Sequence, residues 1–286
     1  MNDRLIVGFD GSQAARSALR WAGNAAALRD CAVRVVSSYT VPPVVDYYGV
    51  GPVVMDSAQT SALRDACAAA LHEAVTEEVK AHPALGFDYR VESASPADVL
   101  IAESANARLL VVGSNGAGPT RSFLLGSVNY DVLHASECPV AVVPATVRPQ
   151  VGRIAVAIDG SKAACRALEW AIAEADRRDA DLLVVHAWQY PYESTSERFE
   201  RGRDIAQVDA ATVIEEATRK AAGRRAGVVD SHLVEGSAVE VVLDVADRVD
   251  LVVVGSRGRG GFKSMLLGSV AISVAGGATC PVIVVR

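Results

Sequence analysis

Residues Arg4 to Ala22, RLIVGFDGSQAARSALRWA, return as RIAVAIDGSKAACRALEWA from Arg153 to Ala171. A second block, Leu109 to Val143, returns from Leu251 to Val285 with more than half its positions identical. A chain of 286 residues that repeats itself this way is two copies of one unit rather than one large domain. The first copy carries a longer middle segment, around Pro42 to Ser57. TVRPQVG, between the copies, holds Pro and Gly without periodic apolar positions and reads as a linker. The domains are therefore expected at 1–145 and 153–286.

Each copy alternates strand and helix. In the first, Leu5 to Phe9 is a short apolar run of the kind that forms a buried parallel strand. DGS then opens an Ala-rich helix to about Arg29, and Val33 to Tyr39 is the second strand. A long helix is expected from about Gln59 to Ala81, ended by Pro83, and a third strand from Phe87 to Glu92. Ser95 and Pro96 suit the cap and first position of a helix. Leu109 to Val112 forms the fourth strand, Ser127 is expected to cap a helix reaching Ser136, and Pro139 to Val143 forms the fifth. This alternation predicts an α/β, Rossmann-like, five-stranded parallel sheet of order 3-2-1-4-5, built twice. Ligands of such sheets bind at the carboxyl ends of the strands, where the order reverses. DGS and a Gly-rich loop both fall at that point.

The loop runs Gly113-Ser114-Asn115-Gly116, then nine residues, then Gly126-Ser127-Val128. The second copy repeats it as Gly255-Ser256-Arg257-Gly258, nine residues, Gly268-Ser269-Val270. Glycines let backbone N–H groups approach a polyphosphate, and a helix start adds free N–H donors. Neither GxxxxGK[ST] nor GxGxxG is present.

With these residues in place, the chain resembles the ATP-binding branch of the universal stress protein family, twice over. The resemblance implies ATP at the switch point, with or without Mg²⁺, and a role in stress adaptation or growth control. It assigns Asp10 and Asp159 to the nucleotide, a capping role being the alternative. It places Gly8 and Ala157 where small side chains leave room for a ligand. Ser38 and Ala187 match the adenine-facing position, and both glycine loops match the phosphate and ribose contacts. It also implies that the two domains pair within the chain through their last strands, a homodimer being left open. The copies differ in charge: Arg257, Arg259 and Lys263 stand in the second loop, against Arg121 and a Pro119 that lacks an N–H in the first.

Other features are bland. A net charge of −6 argues against nucleic-acid binding. No apolar stretch is long enough to span a membrane, and the beginning of the chain does not resemble an export signal, so a cytoplasmic protein is expected. Five scattered cysteines, Cys31, Cys67, Cys138, Cys165 and Cys280, read as small buried thiols in a reducing compartment. The five histidines lack metal-ligand spacing, Trp21 and Trp170 read as packing, and Arg177-Arg178 and Arg224-Arg225 as solvated helix faces. Three functional classes remain: an ATP-binding regulator with an unidentified protein partner and little or no catalysis, a weak ATPase or phosphotransferase, and an interaction module with vestigial sites.

Overall fold

The computed structural model describes residues 4–40, 57–114, 125–190, 197–258 and 267–286. The first copy consists of β1 (Arg4–Gly8), α1 (Gln13–Ala27), β2 (Ala32–Ser38), α2 (Ser57–Ala81), β3 (Phe87–Glu92), α3 (Pro96–Ser104), β4 (Leu109–Gly113), α4 (Ser127–Ala135) and β5 (Val140–Val143). The second repeats this as β6 (Arg153–Ala157), α5 (Lys162–Arg178), β7 (Asp181–Trp188), α6 (Glu197–Ala222), β8 (Val229–Glu235), α7 (Ala238–Ala246), β9 (Leu251–Gly255), α8 (Ser269–Gly277) and β10 (Val282–Val285).

The ten strands of the described residues form one sheet, in the order β3-β2-β1-β4-β5-β10-β9-β6-β7-β8. Every pairing within a copy is parallel. The copies join by one antiparallel ladder, Val282 opposite Val142, Ile283 opposite Ala141 and Val284 opposite Val140. Each last strand would alone be an exposed apolar edge, and pairing removes that liability.

Alternation along the strands divides the core. Leu5 and Val7 face α1 and α2, while Ile6 faces α3 and α4. The pattern continues through the joint. Ala141, Val143, Ile283 and Val285 belong to the first cluster, and Val140, Val142, Val282 and Val284 to the second. Both cores therefore run unbroken from one domain into the other. Burying each such valine or isoleucine contributes about 1.5–3 kcal/mol.

The helices α1 and α5 also meet across the joint. Glu174 on α5 is fully buried, and its carboxylate accepts hydrogen bonds from three guanidinium groups. Arg29 reaches it from the first domain, Arg178 at 2.7 Å and Arg177 at 3.3 Å from the second. Arg29 also lies 5.9 Å from the Trp170 ring, and Arg178 lies 5.4 Å from the Trp21 ring. The repeat matches Arg29 with Arg178 and Trp21 with Trp170, so the two cation–π contacts are mates across a pseudo-twofold axis. Burial, more than any neighbouring charge, holds the Arg29 guanidinium below its ordinary value.

These contacts correct the expectation of solvated helix faces. Arg178 is sealed into the joint, and the Arg225 side chain is buried, bonded to Asp176 at 3.1 Å and to the Ala180 carbonyl at 2.6 Å. Arg177 and Arg224 remain on the surface. Helical spacing places Arg178 on a face, but the other domain covers that face.

Glu174→Ala is expected to lower the unfolding free energy by about 3–5 kcal/mol, because Arg29 and Arg178 would stay buried without their counter-charge. Urea denaturation checks this. A loss below about 1 kcal/mol, the size of an exposed pair, would show that the cluster is not what secures the joint.

Candidate functional site

Between β6 and β9 the chain leaves the sheet in two directions. From β6 it enters α5, on the face of the first core cluster, and from β9 it reaches α8 on the opposite face. The two exits diverge and leave a cleft at the strand ends. On one side, Asp159 shapes the turn into α5: its Oδ1 accepts the Ser161 N–H at 2.9 Å, and Gly160 takes φ +77°. Ser161 then caps the helix by accepting the Ala164 N–H at 3.1 Å. Asp10, Gly11 and Ser12 repeat the arrangement at α1, with distances of 3.0 Å and 3.1 Å. The side-chain caps are therefore Ser12 and Ser161. The aspartates act one step earlier, in an Asx turn.

A cavity of about 430 Å³ fills the cleft of the second domain. This lies within the size range of small-molecule and cofactor sites. Of the second copy's expected residues, Ala157, Asp159, Ala187, Gly255, Arg257, Gly258, Gly268, Ser269 and Val270 line it. Ser256 lies beneath: its carbonyl accepts the Gly268 N–H and its own N–H reaches the Val285 carbonyl, both at 2.7 Å. The lining also includes Val185, Val242, Val254 and Leu267, which make one part of the cavity apolar. The opposite part is the start of α8, where the N–H groups of Ser269, Val270 and Ala271 precede any helical carbonyl partner.

The glycines fall into two kinds. A Cβ on Gly255 would sit 2.8 Å from the Ala163 carbonyl carbon, and one on Gly113 would sit 2.6 Å from that of Ala14. These glycines let β4 and β9 pass under the first turns of α1 and α5. Gly268 and Gly126 differ. Their φ angles, −81° and −59°, suit any residue. Among the described residues, a Cβ would meet nothing closer than 3.4 Å at Gly268 and nothing within 4 Å at Gly126. Nothing among the described residues demands glycine at these two helix starts. They are the N-caps, and neither makes a side-chain cap bond, so Ser127 and Ser269 are first helical residues rather than caps. Both serines are exposed.

In the first copy Gly8, Asp10, Ser38, Gly113, Ser114, Gly126, Ser127 and Val128 are described. Asn115, Gly116, Pro119 and Arg121 lie outside the described residues, as do Arg259 and Lys263 of the second copy. The room beside Gly8 is taken by Leu100, whose Cδ1 would lie 2.9 Å from an added Cβ. Gly8 thus accommodates a side chain of its own domain. The second copy exchanges the pair for Ala157 and Val242. Sequence reasoning also missed Asn129. Its buried carboxamide donates to the Gly113 carbonyl at 2.7 Å and the Ser114 carbonyl at 2.9 Å, fastening the start of α4 to the end of β4. Its counterpart, Ala271, lines the cavity. A polar residue facing an alanine between two otherwise similar blocks was the available signal.

Positive potential gathers near the second cleft. Arg286, bonded to the Leu133 and His134 carbonyls, is held below its ordinary value by burial first and by the charge of Arg257 second. Among the described residues lining the cavity, Asp159 is the one acid. Cys31, Cys138 and Cys280 are buried as expected, but Cys165, on α5, is exposed; burial pushes the Cys138 thiol up to about 11 and that of Cys280 to about 12. Both are protonated thiols at neutral pH, and a thiol reacts as its thiolate.

The family profile described as the universal stress protein family matches residues 1–144 and 150–286. A universal stress protein of Mycolicibacterium smegmatis is 33% identical, covering 99% of this chain and 96% of its own. One of Mycobacterium tuberculosis (strain ATCC 25618 / H37Rv) is 34% identical over 299 residues, covering 99% of this chain and 96% of its own. The crystal structure of a universal stress protein from Archaeoglobus fulgidus DSM 4304 superposes with a TM-score of 0.68 at 22% identity, covering 100% of this chain and 97% of its own. Among the described residues, no helix is long and apolar enough to cross a membrane.

Two outcomes are expected. Gly255→Ala should cost about 1–3 kcal/mol of stability, as overpacking does, whereas Gly268→Ala should stay within about 0.5 kcal/mol of wild type. Urea unfolding of the two variants separates glycine needed by the chain from glycine that the chain does not need. Iodoacetamide at pH 7.5 should label exposed Cys165 and leave Cys138 and Cys280 unmodified in the folded protein, as read by peptide mass mapping.

Proposed function

The chain belongs to the universal stress protein family, and from that premise we propose that it binds ATP in the cleft of each domain and acts as a nucleotide-responsive regulator in stress adaptation. The observation that carries the reading is the two-part character of the second cleft. Its apolar part, between Ala187, Val185 and Val242, suits a base. Its other end offers helix N–H donors beside Gly258 and Gly268, suiting phosphate. Gly268 supports this reading further: neither its φ nor its neighbours among the described residues require glycine. A phosphate lying against the backbone would require it.

Asp159 takes the remaining role. As a carboxylate acceptor it suits a ribose hydroxyl or an exocyclic amine rather than phosphate. A Cβ on Gly258 would lie 2.7 Å from its Oδ2, so the loop lies directly against it. The residues present fit ATP, and Mg²⁺ would be held through phosphate oxygens. Phosphoryl transfer needs, besides the metal, a positioned base or nucleophile. With Asp159 the single acid among the described lining residues and already engaged with Ser161, binding without useful turnover is the function proposed. The partner is a protein that reads the loaded state.

Two measurements test this. The double variant Asp10→Ala, Asp159→Ala should keep its fold and lose about tenfold to hundredfold in ATP affinity by calorimetry, each carboxylate contributing roughly 1.5–3 kcal/mol. Unchanged affinity would reduce both aspartates to turn formers. The second test blocks one site at a time, with Gly126→Glu or Gly268→Glu. The variant that keeps the second site should bind more tightly at low salt, by about fivefold, because its loop carries the extra cations, and the gap should shrink as salt rises. Equal affinities at low salt would overturn the charge argument.

A further inference from the structure

The second domain holds another, smaller cavity on the far side of the β6–α5 turn, about 190 Å³, between α5 and α6. Ile158, Leu168, Val213 and Ala217 give it apolar walls, and Cys165 and Lys220 stand among its lining. The repeat provides a template for what belongs there. Phe9 occupies the first copy's position of Ile158, and Arg16 that of Cys165. Phe9 is only 5% exposed, packed in the core, and the Arg16 guanidinium lies 5.9 Å from its ring centroid. The first domain thus places a phenyl ring, with a cation near it, at the position where the second has the smaller Ile158. Isoleucine is smaller than phenylalanine, and the exposed Cys165 is too short to reach across as Arg16 does.

We propose that this cavity binds a phenyl-sized apolar group, the ligand class being a small aromatic molecule. An enclosed cavity of about 150 Å³ lined by aliphatic side chains takes up benzene; this one has comparable volume and apolar walls but opens to solvent on one side. Of the charged groups in its lining, Lys220 is paired with Glu169 at 2.8 Å and Glu216 is exposed, so the polar groups stand at the mouth and the walls are apolar. Ile158 and Ala164 wall this cavity and the larger one alike, so an occupant lies one residue's thickness from the larger cleft. The site stands whatever the larger cleft holds.

The test is a fluorine NMR titration of the full chain with fluorobenzene, on wild type, Ile158→Phe and Ala217→Leu, with circular dichroism and melting temperature confirming the fold. Ile158→Phe installs the residue the first domain already carries. Ala217, unlike Ile158, lines only the smaller of the two cavities, so its variant separates binding here from binding in the larger one. The expected result is saturable binding to wild type, weakened about tenfold or more in both variants, with Ile158→Phe melting at or above wild type. Absence of saturable binding to folded wild type would overturn the proposal. So would a folded Ala217→Leu variant that binds fluorobenzene as wild type does.

Discussion

A parallel sheet needs helices on both faces, and that requirement makes the cleft. In each domain the first strand sends its helix to one face and the fourth sends its chain to the other, so two neighbouring strands end without a shared cover. Everything in the site follows from that divergence. Asp159 stands at one lip because the turn into α5 needs an Asx bond to Ser161, and the start of α8 forms the other lip. The close passage of β9 under α5, possible only because residue 255 is glycine, sets the distance between them.

The two domains act as controls for each other. Both carry glycine at Gly126 and Gly268, where no described neighbour requires it, and the proposed phosphate is what would. Where they differ in compensated pairs, Gly8 with Leu100 against Ala157 with Val242, the explanation is packing. Where they differ without compensation, as Phe9 and Arg16 against Ile158 and Cys165, the second domain has a cavity beside the smaller residues. The joint between them is itself unequal. Glu174 faces cations from both domains, and its counterpart in the first copy is Ala25, so a single carboxylate serves both sides of the axis.

Much of this is legible in the amino-acid sequence. Alternating apolar runs and the repeat reveal the α/β units, and two motifs at one switch point mark the cleft. What escaped was whatever depends on neighbours distant in sequence. Arg178 reads as a surface residue because nothing local says that another domain covers it. Gly8 reads as ligand space because nothing local announces Leu100. Ser127 reads as a cap because caps favour serine, yet the preceding Gly126 holds the cap position. Asn129 lies within an ordinary helix pattern and betrays itself only by comparison with Ala271.

The central claim is that the clefts hold ATP. Native mass spectrometry of the purified full chain, followed by identification of small molecules released on denaturation, tests it most directly. The account predicts a mass increment of ATP that Gly268→Glu diminishes while the protein stays folded. A chain that carries no nucleotide and gains none when incubated with ATP would contradict it.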